Sequence, residues 1–394
     1  MAEGNDQGLV AIVGAGFAGL ALACTLSRAG RQVTVLERRA ALPAGGAAIA
    51  IQPNGLSALE RLGLLEQALA AGSRIDRLLM HDSRGRLVAG VDYAELDHPT
   101  PFMLLVRRRD LLGVLADGLM SLGGEPVLYG AEVFALTRRG ETVSGLRYHR
   151  DGQDHDLRAW CVAGADGVRS AVRRDLGIPL RTWGHEHGYV VGIGKRPAEL
   201  DDGAALVYHG AGYANGVMPL GDRAYFYDSV TAANRKVVEA RDLDGWRAAY
   251  AGRVPFAAEL TAGLTHWEAL TVLAARPGGA RRRITDGAAL LGDAAAIVHP
   301  HSAQGTNLAL EDGVALGGLL ERLDPSTALR RTHLAPYQTL RGRKAARYVA
   351  WSRWAGATFD GATTPWRAVR WYGWQWQRIP PARRALLRLG AGLR

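Results

Sequence analysis

The stretch "LVAIVGAGFAGLALACTLSRAGRQVTVLERR", residues 9–39, restricts the fold more than any other part of the chain. Residues 9–13 form a short apolar run rich in β-formers, which predicts a buried strand. Gly14, Gly16 and Gly19 follow in GxGxxG spacing, with Ala18 among them. Residues 20–29 carry helical periodicity and stop at Gly30. Residues 32–36 predict a second strand, and Glu37 ends it. Each piece has a mechanical job. Gly14 permits a tight turn, Gly16 lets a pyrophosphate approach the backbone amides, and Gly19 lets helix pack on strand. The helix N-terminus then faces the phosphate charge, and Glu37 can accept from ribose hydroxyls. A glycine-rich turn in an ordinary βαβ unit would carry the glycines but not the acid in register. Dinucleotide binding is the better reading.

The rest of the chain selects the dinucleotide. An NAD dehydrogenase continues through closely spaced βα units, and this chain does not. After Glu37 come a loop, a short strand and an amphipathic helix within "RRAALPAGGAAIAIQPNGLSALERLGLLEQ". "LLVRRRDLLGVLADGLMSLG" reads as a strand leading into a helix, and "CVAGADGVRSAVRRDLGI" as a strand ending at Asp166-Gly167. "LLGDAAAIVHPHSAQGTNLALEDG" places Gly292-Asp293 at another strand end. One fingerprint plus two distant strand-ending acids suits a long cofactor held by separated segments. FAD fits better than NAD.

Composition narrows the class without naming it. The 394 residues are 48% hydrophobic and 22% charged, ordinary for a globular enzyme. The net charge of +10 could mean nucleic acid, but no nucleic-acid module is visible. The excess is arginine, with Lys only at 195, 236 and 344, in an Ala- and Gly-rich chain of GC-rich style. No apolar run is long enough to predict a transmembrane helix, and the N-terminus lacks signal-peptide features. Cys24 and Cys161 alone make no disulfide framework, so a reduced, cytoplasmic protein is expected.

The ordered motifs "GAGFAG", "ERR", "QPNGLSALERLGL", "RRRDLLGVL", "GADGVRSAVR" and "GDAAAIVHPHSAQGTNLALEDG" resemble those of the single-component FAD-dependent aromatic hydroxylases, the p-hydroxybenzoate and salicylate hydroxylase class of monooxygenases. The resemblance runs from Gly14 to about Asp312. It implies roles at matching positions. Glu37 would hold the adenosine ribose with Arg38 beside it. Arg108 would touch the pyrophosphate or ribityl region, its register within Arg107-Arg108-Arg109 uncertain by one. Val133 would meet the adenine through its backbone. Asp166 would serve both FAD and NAD(P)H, and Asp293 the ribityl chain. Pro300 would lie against the flavin, and the amides near Gly305, Thr306 and Asn307 would face its pyrimidine ring.

The chain departs from the family pattern twice. Ala296 stands where the family has His, and Ala303 where it has Gly. His299 and His301 flank Pro300 instead. Either could be a displaced active-site group, His299 having the better claim, or both are loop histidines without a chemical role. The expectation for a working imidazole there is titration near its ordinary value of ~6.5.

The resemblance implies an α/β fold. A Rossmann-like FAD-binding domain is built from residues 1–73, 107–176 and 277–323. An antiparallel β-sheet substrate domain, residues 74–106 and 177–276, interleaves with it, and residues 324–394 form a C-terminal helical region. Tyr189, Tyr208, Tyr213, Tyr225 and Tyr227 lie in the sheet segment as substrate-pocket candidates, the last two on one face with Phe226 on the other. The C-terminal region is rich in Trp and Arg. Its "GWQWQRIP", residues 373–380, resembles a flavin-dependent halogenase signature but has one residue too many and sits at the wrong end of the chain. An amphipathic helix with buried Trp is the plainer reading, with a homodimer interface or a surface contact with membrane as alternatives.

The implied reaction draws electrons from NAD(P)H, activates O2 at the flavin C4a carbon and inserts one oxygen atom into an aromatic or polycyclic small molecule. No second GxGxxG is present, so NAD(P)H would bind transiently. Natural-product tailoring fits the sequence style. The alternatives are an epoxidase or other oxygenase acting on an alkene, amine or ketone, and a flavoprotein reductase, dehydrogenase or cyclase. No metal, nucleic acid or stable membrane insertion is expected.

Overall fold

The computed structural model describes residues 8–393 except 44, 46, 184–187, 275, 361–364, 366–368, 370–372 and 374–378. The chain opens with β1 (Val10–Val13), α1 (Phe17–Arg28) and β2 (Val33–Glu37). With β7 (Leu128–Tyr129), β11 (Cys161–Gly164), β19 (Ile284–Thr285) and β20 (Ala288–Leu290), these strands form one sheet in the order β19-β20-β11-β1-β2-β7. Every pairing in it is parallel except β19 with β20. Three strand ends therefore point the same way, delivering Gly14, Asp166 and Asp293 to one edge of the sheet.

Helix α1 packs on α9 (Gly305–Leu320) at backbone distance. A Cβ on Gly313 would lie 2.6 Å from Ala18 O, and one on Gly317 would lie 2.5 Å from Thr25. Helices α2 (Pro53–Arg61), α3 (Leu65–Ala70) and α4 (Arg108–Ser121) complete this layer, and Leu59, Leu111 and Leu115 are buried with Ile12 and Leu20 in one apolar core.

The second large sheet is built from two stretches of chain. The first gives β3 (Ala48–Ile51), β4 (Gly72–Asp82), β5 (Leu87–Asp92) and β6 (Met103–Arg107). The second gives β13 (Gly188–Lys195), β14 (Gly203–Gly210), β15 (Tyr213–Leu220), β16 (Arg223–Ser229) and β17 (Thr271–Ala274). The order is β17-β13-β16-β15-β14-β4-β6-β3, with β5 on β4. Two features differ from the expected antiparallel sheet. Strand β3 joins it from within residues 1–73, and β14 runs parallel to β4, Leu206 opposite Leu79. The β4–β14 connection passes through the other layers of the protein, so no hairpin turn dictates its direction.

The outer face of this sheet is covered by α6 (Arg235–Glu239), α7 (Leu243–Ala251) and α8 (Ala257–Thr261). Phe226 stacks there on Trp246. The fully buried Asp228 accepts from Trp246 Nε1 at 2.9 Å, Asn234 Nδ2 at 3.1 Å and Arg253 at 2.9 Å. The inner face is left for the cavity.

Two small sheets complete the strands. β8 (Glu132–Arg139), β9 (Thr142–Arg150) and β10 (Gln153–Arg158) form a meander on which α5 (Ala171–Asp175) packs, and β12 (Leu180–Thr182), β18 (Gly278–Ala280) and β21 (Ala296–Ile297) pair in the other. The chain ends in α10 (Arg331–Asp360) and α11 (Pro380–Gly390). Helix α10 is locked to α9 by buried charge. Arg341 pairs with Asp312, which also binds Arg283 at 3.3 Å and accepts from Gly292 N at 3.0 Å. Most of the "GWQWQRIP" stretch lies outside the described residues. Among the described residues no helix is long and apolar enough to cross a membrane.

Candidate active site

A cavity of about 1150 Å³ lies between the two large sheets. That exceeds the roughly 300–1,000 Å³ of a typical small-molecule site, leaving room for a cofactor and a second ligand.

At one end stands the glycine loop. Gly14 has φ +103°, and a Cβ there would lie 2.6 Å from Ala165 O, so a tight turn excludes any side chain. A Cβ on Gly19 would lie 2.0 Å from Gly14 O, which is how closely helix and strand approach. Gly16 is different. It lines the cavity, and a Cβ on it would meet no described atom within 4 Å. Gly14 and Ala18 also line the cavity, while Gly19 is not among its lining residues. Glu37 is buried, accepting from Ala15 N and Arg39 N, each at 3.0 Å, so its carboxylate fastens the loop. Arg38 and Val133 line the cavity beside it.

Arg108 opens α4 and faces the cavity, while Arg107 and Arg109 are not among the lining residues. Of the three arginines in the run, Arg108 is thus the one that faces the cavity. Burial lowers its pKa and Arg39 adds repulsion, while Asp293 and Glu37 pull the other way. Asp166 Oδ2 accepts from Ala171 N at 2.6 Å and Val172 N at 3.2 Å, which fixes its orientation. Its Oδ1 is buried on the cavity wall without a hydrogen-bond partner among the described residues.

Asp293 has an exposed side chain that lines the cavity, while protein mass surrounds it on the other sides. Burial raises its pKa to about 6, against the pull of Arg108 and with some push from Asp312. Downstream, Gly305 and Thr306 line the cavity at the start of α9, whose N-terminus has no side-chain cap among the described residues. Its first amides are thus available to a ligand, and the helix dipole favours negative charge there. Asn307 does not line the cavity. Its Oδ1 accepts from Gln52 N at 2.9 Å and its Nδ2 donates to Ala50 O at 3.1 Å, so it ties α9 to β3.

The residues around Pro300 revise the sequence expectation. Pro300 and His301 line the cavity, but His299, the favoured histidine, does not. His299 is fully buried, its Nδ1 accepting from His301 N at 3.2 Å as the cap of a 3-10 turn over Pro300–Ser302. Its own N–H donates to Ser352 Oγ on α10 at 3.0 Å. His301 Nδ1 lies 3.3 Å from the Tyr189 hydroxyl. Burial and the neighbouring His209 lower its pKa to about 3, so it does not titrate near the ordinary histidine value. Ala303, at a family glycine position, takes φ +49°, the left-handed conformation that glycine adopts without strain.

The sheet tyrosines divide by alternation. Tyr189, Tyr225 and Tyr227 face the cavity, and Phe226 packs outward among Trp246 and Tyr250. Tyr208 does not line the cavity. Its neighbours Val207 and His209 do, which puts Tyr208 on the opposite face, stacked on His81. Tyr213 is also absent from the lining and lies under Arg253, 5.2 Å from its guanidinium carbon. Alternation along "AALVYHG" already carried this signal for Tyr208, and it singles out His209, which sequence reasoning passed over. Met80, Met103, Met218 and Val191 make the rest of this wall apolar and adaptable.

The whole arrangement has known counterparts. The profile of the FAD binding domain family matches residues 8–352. The chain is similar to a 3-amino-4-hydroxybenzoate 2-monooxygenase (PtmB3) of Streptomyces platensis, 30% identical over 93% of this chain and 92% of that protein. It is 29% identical to the 6-methylpretetramide 4-monooxygenase of Streptomyces rimosus over 78% of this chain and 73% of that one. Among solved structures, P. aeruginosa PqsL in complex with 2-aminobenzoylacetate superposes with a TM-score of 0.79 at 26% identity, covering 89% of this chain and 96% of that chain.

Proposed function

We propose that this chain, which belongs to the FAD binding domain family and is an FAD-dependent aromatic monooxygenase, hydroxylates a phenolic or polycyclic small molecule held against the inner face of its large sheet. The observation that carries this reading is the continuity of one cavity. It reaches from Gly16, Glu37 and Asp293 to Tyr189, Tyr225, Tyr227 and His301.

The residues present fit FAD. The open space above Gly16 suits a pyrophosphate, and the unpartnered Asp166 Oδ1 awaits a donor. Glu37, Arg38 and Val133 would hold the adenosine end, Arg108 the pyrophosphate, and Asp293 the ribityl hydroxyls. Gly305 and Thr306 would donate to the ring end. When bound, FAD takes electrons from NAD(P)H and supplies the oxygen-activating chemistry, which is the cofactor's own.

The protein's part is to position and to keep dry. Pro300, Val191, Val207 and the three methionines line the cavity with apolar surface, which excludes water from the reacting carbon. A base must titrate near the working pH to remove a proton efficiently, and His301 at about 3 is too weak. Its ring therefore orients: paired with Tyr189, it offers a neutral site for a substrate hydroxyl. Tyr225 and Tyr227 supply ring faces. The free, buried Cys24 and Cys161 suit a reducing cytoplasm. The substrate named for the S. rimosus relative supports a polycyclic ring system and a place in natural-product tailoring.

The test is a panel of monocyclic and polycyclic phenols with NAD(P)H and isotopically labelled O2. Substrate should stimulate NAD(P)H consumption, and one labelled oxygen atom should appear in the product. NAD(P)H consumption that yields only hydrogen peroxide with every phenol would overturn the reading. His301→Ala should retain FAD and lower turnover by on the order of 10²-fold through misplacement. The wild-type rate should show no limb near pH ~6.5 from this residue.

A further inference from the structure

The last helix is a wall of the cavity. Arg383, Leu386, Leu387, Gly390 and Ala391 all line it. Several separate parts of the chain hold α11 in place. Gln304 Nε2 donates to Gly390 O at 2.7 Å, and Asn54 N to Ala391 O at 3.2 Å. The Tyr348 hydroxyl donates to Leu389 O and Lys344 Nζ to Gly392 O, both at 2.8 Å. Arg383 meets Glu95 at 2.8 Å. Leu387 is buried in one cluster with Met103 and Met218 of the large sheet.

Two glycines close this helix for different reasons. Gly392 has φ +76°, and a Cβ there would lie 2.1 Å from the Asn54 side chain. Its N–H bonds to Leu389 O and that of Leu393 to Arg388 O, the paired bonds of a left-handed helix stop. Backbone and neighbour both require glycine at 392. Gly390 meets neither requirement. It lies in the helix, outside the left-handed region, and a Cβ on it would meet no described atom within 4 Å. Glycine is a poor helix former, so the local structure gives no reason for it. What the missing side chain leaves is open cavity. Leu386, one helical turn earlier, shares that face.

Resting on the aromatic-hydroxylase reading, we propose that Gly390 and Leu386 set the size of the ring system the cavity admits, the glycine leaving room for a fused polycyclic phenol. Their role is to shape the pocket, and neither takes part in the chemistry.

The holoenzyme, Gly390→Leu and Leu386→Ala are compared by titration with 1-naphthol and 1-hydroxypyrene, read from the bound flavin's visible spectrum. Gly390→Leu should weaken 1-hydroxypyrene by about tenfold or more, as overpacking costs of this kind imply, and 1-naphthol much less. FAD content and thermal midpoint should hold, because leucine favours the helix that glycine disfavours. Leu386 is 40% exposed, so its truncation should not unfold the protein, and it should shift preference toward 1-hydroxypyrene. Equal weakening of both ligands, loss of FAD from Gly390→Leu, no change in either variant, or failure of wild type to bind either ring would each overturn the proposal. Binding by wild type without oxygen insertion would instead sink the hydroxylase reading, and the binding ratio would still decide this one.

Discussion

Asp293 shows how far a single residue's state depends on its setting. A carboxyl group that ordinarily ionises near 3.8 is held to about 6 by burial. Ribityl hydroxyls would donate to its ionised form, and such bonds favour ionisation. FAD would therefore bind best above pH 6, with Arg108 and Asp312 the charges that bear on the group. Below that value a proton must leave before the cofactor can be held. We expect wild-type FAD affinity to fall as pH drops through 6, and Asp293→Asn to lose that dependence together with roughly 1–3 kcal/mol of affinity. Quenching of FAD fluorescence across pH checks both, and a flat wild-type profile would remove Asp293 from the proposed role. The histidines teach a related lesson. From sequence, His299 and His301 look equivalent on either side of Pro300. A 3-10 turn sends one ring into the core as a cap and the other into the cavity. Nothing in the local spacing distinguishes them, because Ser352 and Tyr189, which settle the matter, come from distant strands and helices.

At the scale of elements, the fingerprint was the most legible part of the chain, since its glycines report local sterics. Strand, helix and acid all fall within a residue or a few of their expected places. Within the fingerprint, the structure also separates the glycines that serve the fold from Gly16, over which no described atom lies within 4 Å. Gly19→Ala should destabilise the protein and lose FAD, because its Cβ would press on Gly14 O at 2.0 Å. Gly16→Ala should keep its thermal midpoint without ligand and still bind FAD about tenfold or more weakly, a cost of roughly 1.4 kcal/mol. Melting of the FAD-free variants beside FAD titration checks the pair, and equal thermal loss in both would contradict it. The sheet tyrosines were half legible. Period-two alternation correctly put Tyr225 and Tyr227 opposite Phe226, but it was not carried to Tyr208, whose flanking Val207 and His209 take the cavity face. The role of α11 was not legible at all, because the space over Gly390 exists only after Asn54 and Gln304 have seated the helix.

On the scale of the whole molecule, helix α10 is tied by charge to α9 and to the Gly292 turn that follows β20. Arg341 of α10 is buried against Asp312, whose other oxygen holds the Gly292 amide. Arg341→Met should cost roughly 3–5 kcal/mol by leaving buried charge partly uncompensated. FAD, binding only the folded state, should raise the stability of wild type and variant alike and leave that deficit in place. Denaturant melts with and without FAD measure both effects, and a change below about 1 kcal/mol would mean that the pair is dispensable. The mixed sheet has a consequence in time. Strand β4 leaves the ribosome long before its parallel partner β14, and β13 to β16 must follow before the row is filled. Until then the edge of β4 presents unpaired amides and carbonyls that could recruit a neighbouring chain. The mostly parallel sheet that carries β1 and β11 waits longer still, since β20 and α9 come after all of these. Newly made chains should therefore remain vulnerable to aggregation until most of the sequence has been translated, and flavin should be acquired late, by a nearly complete chain.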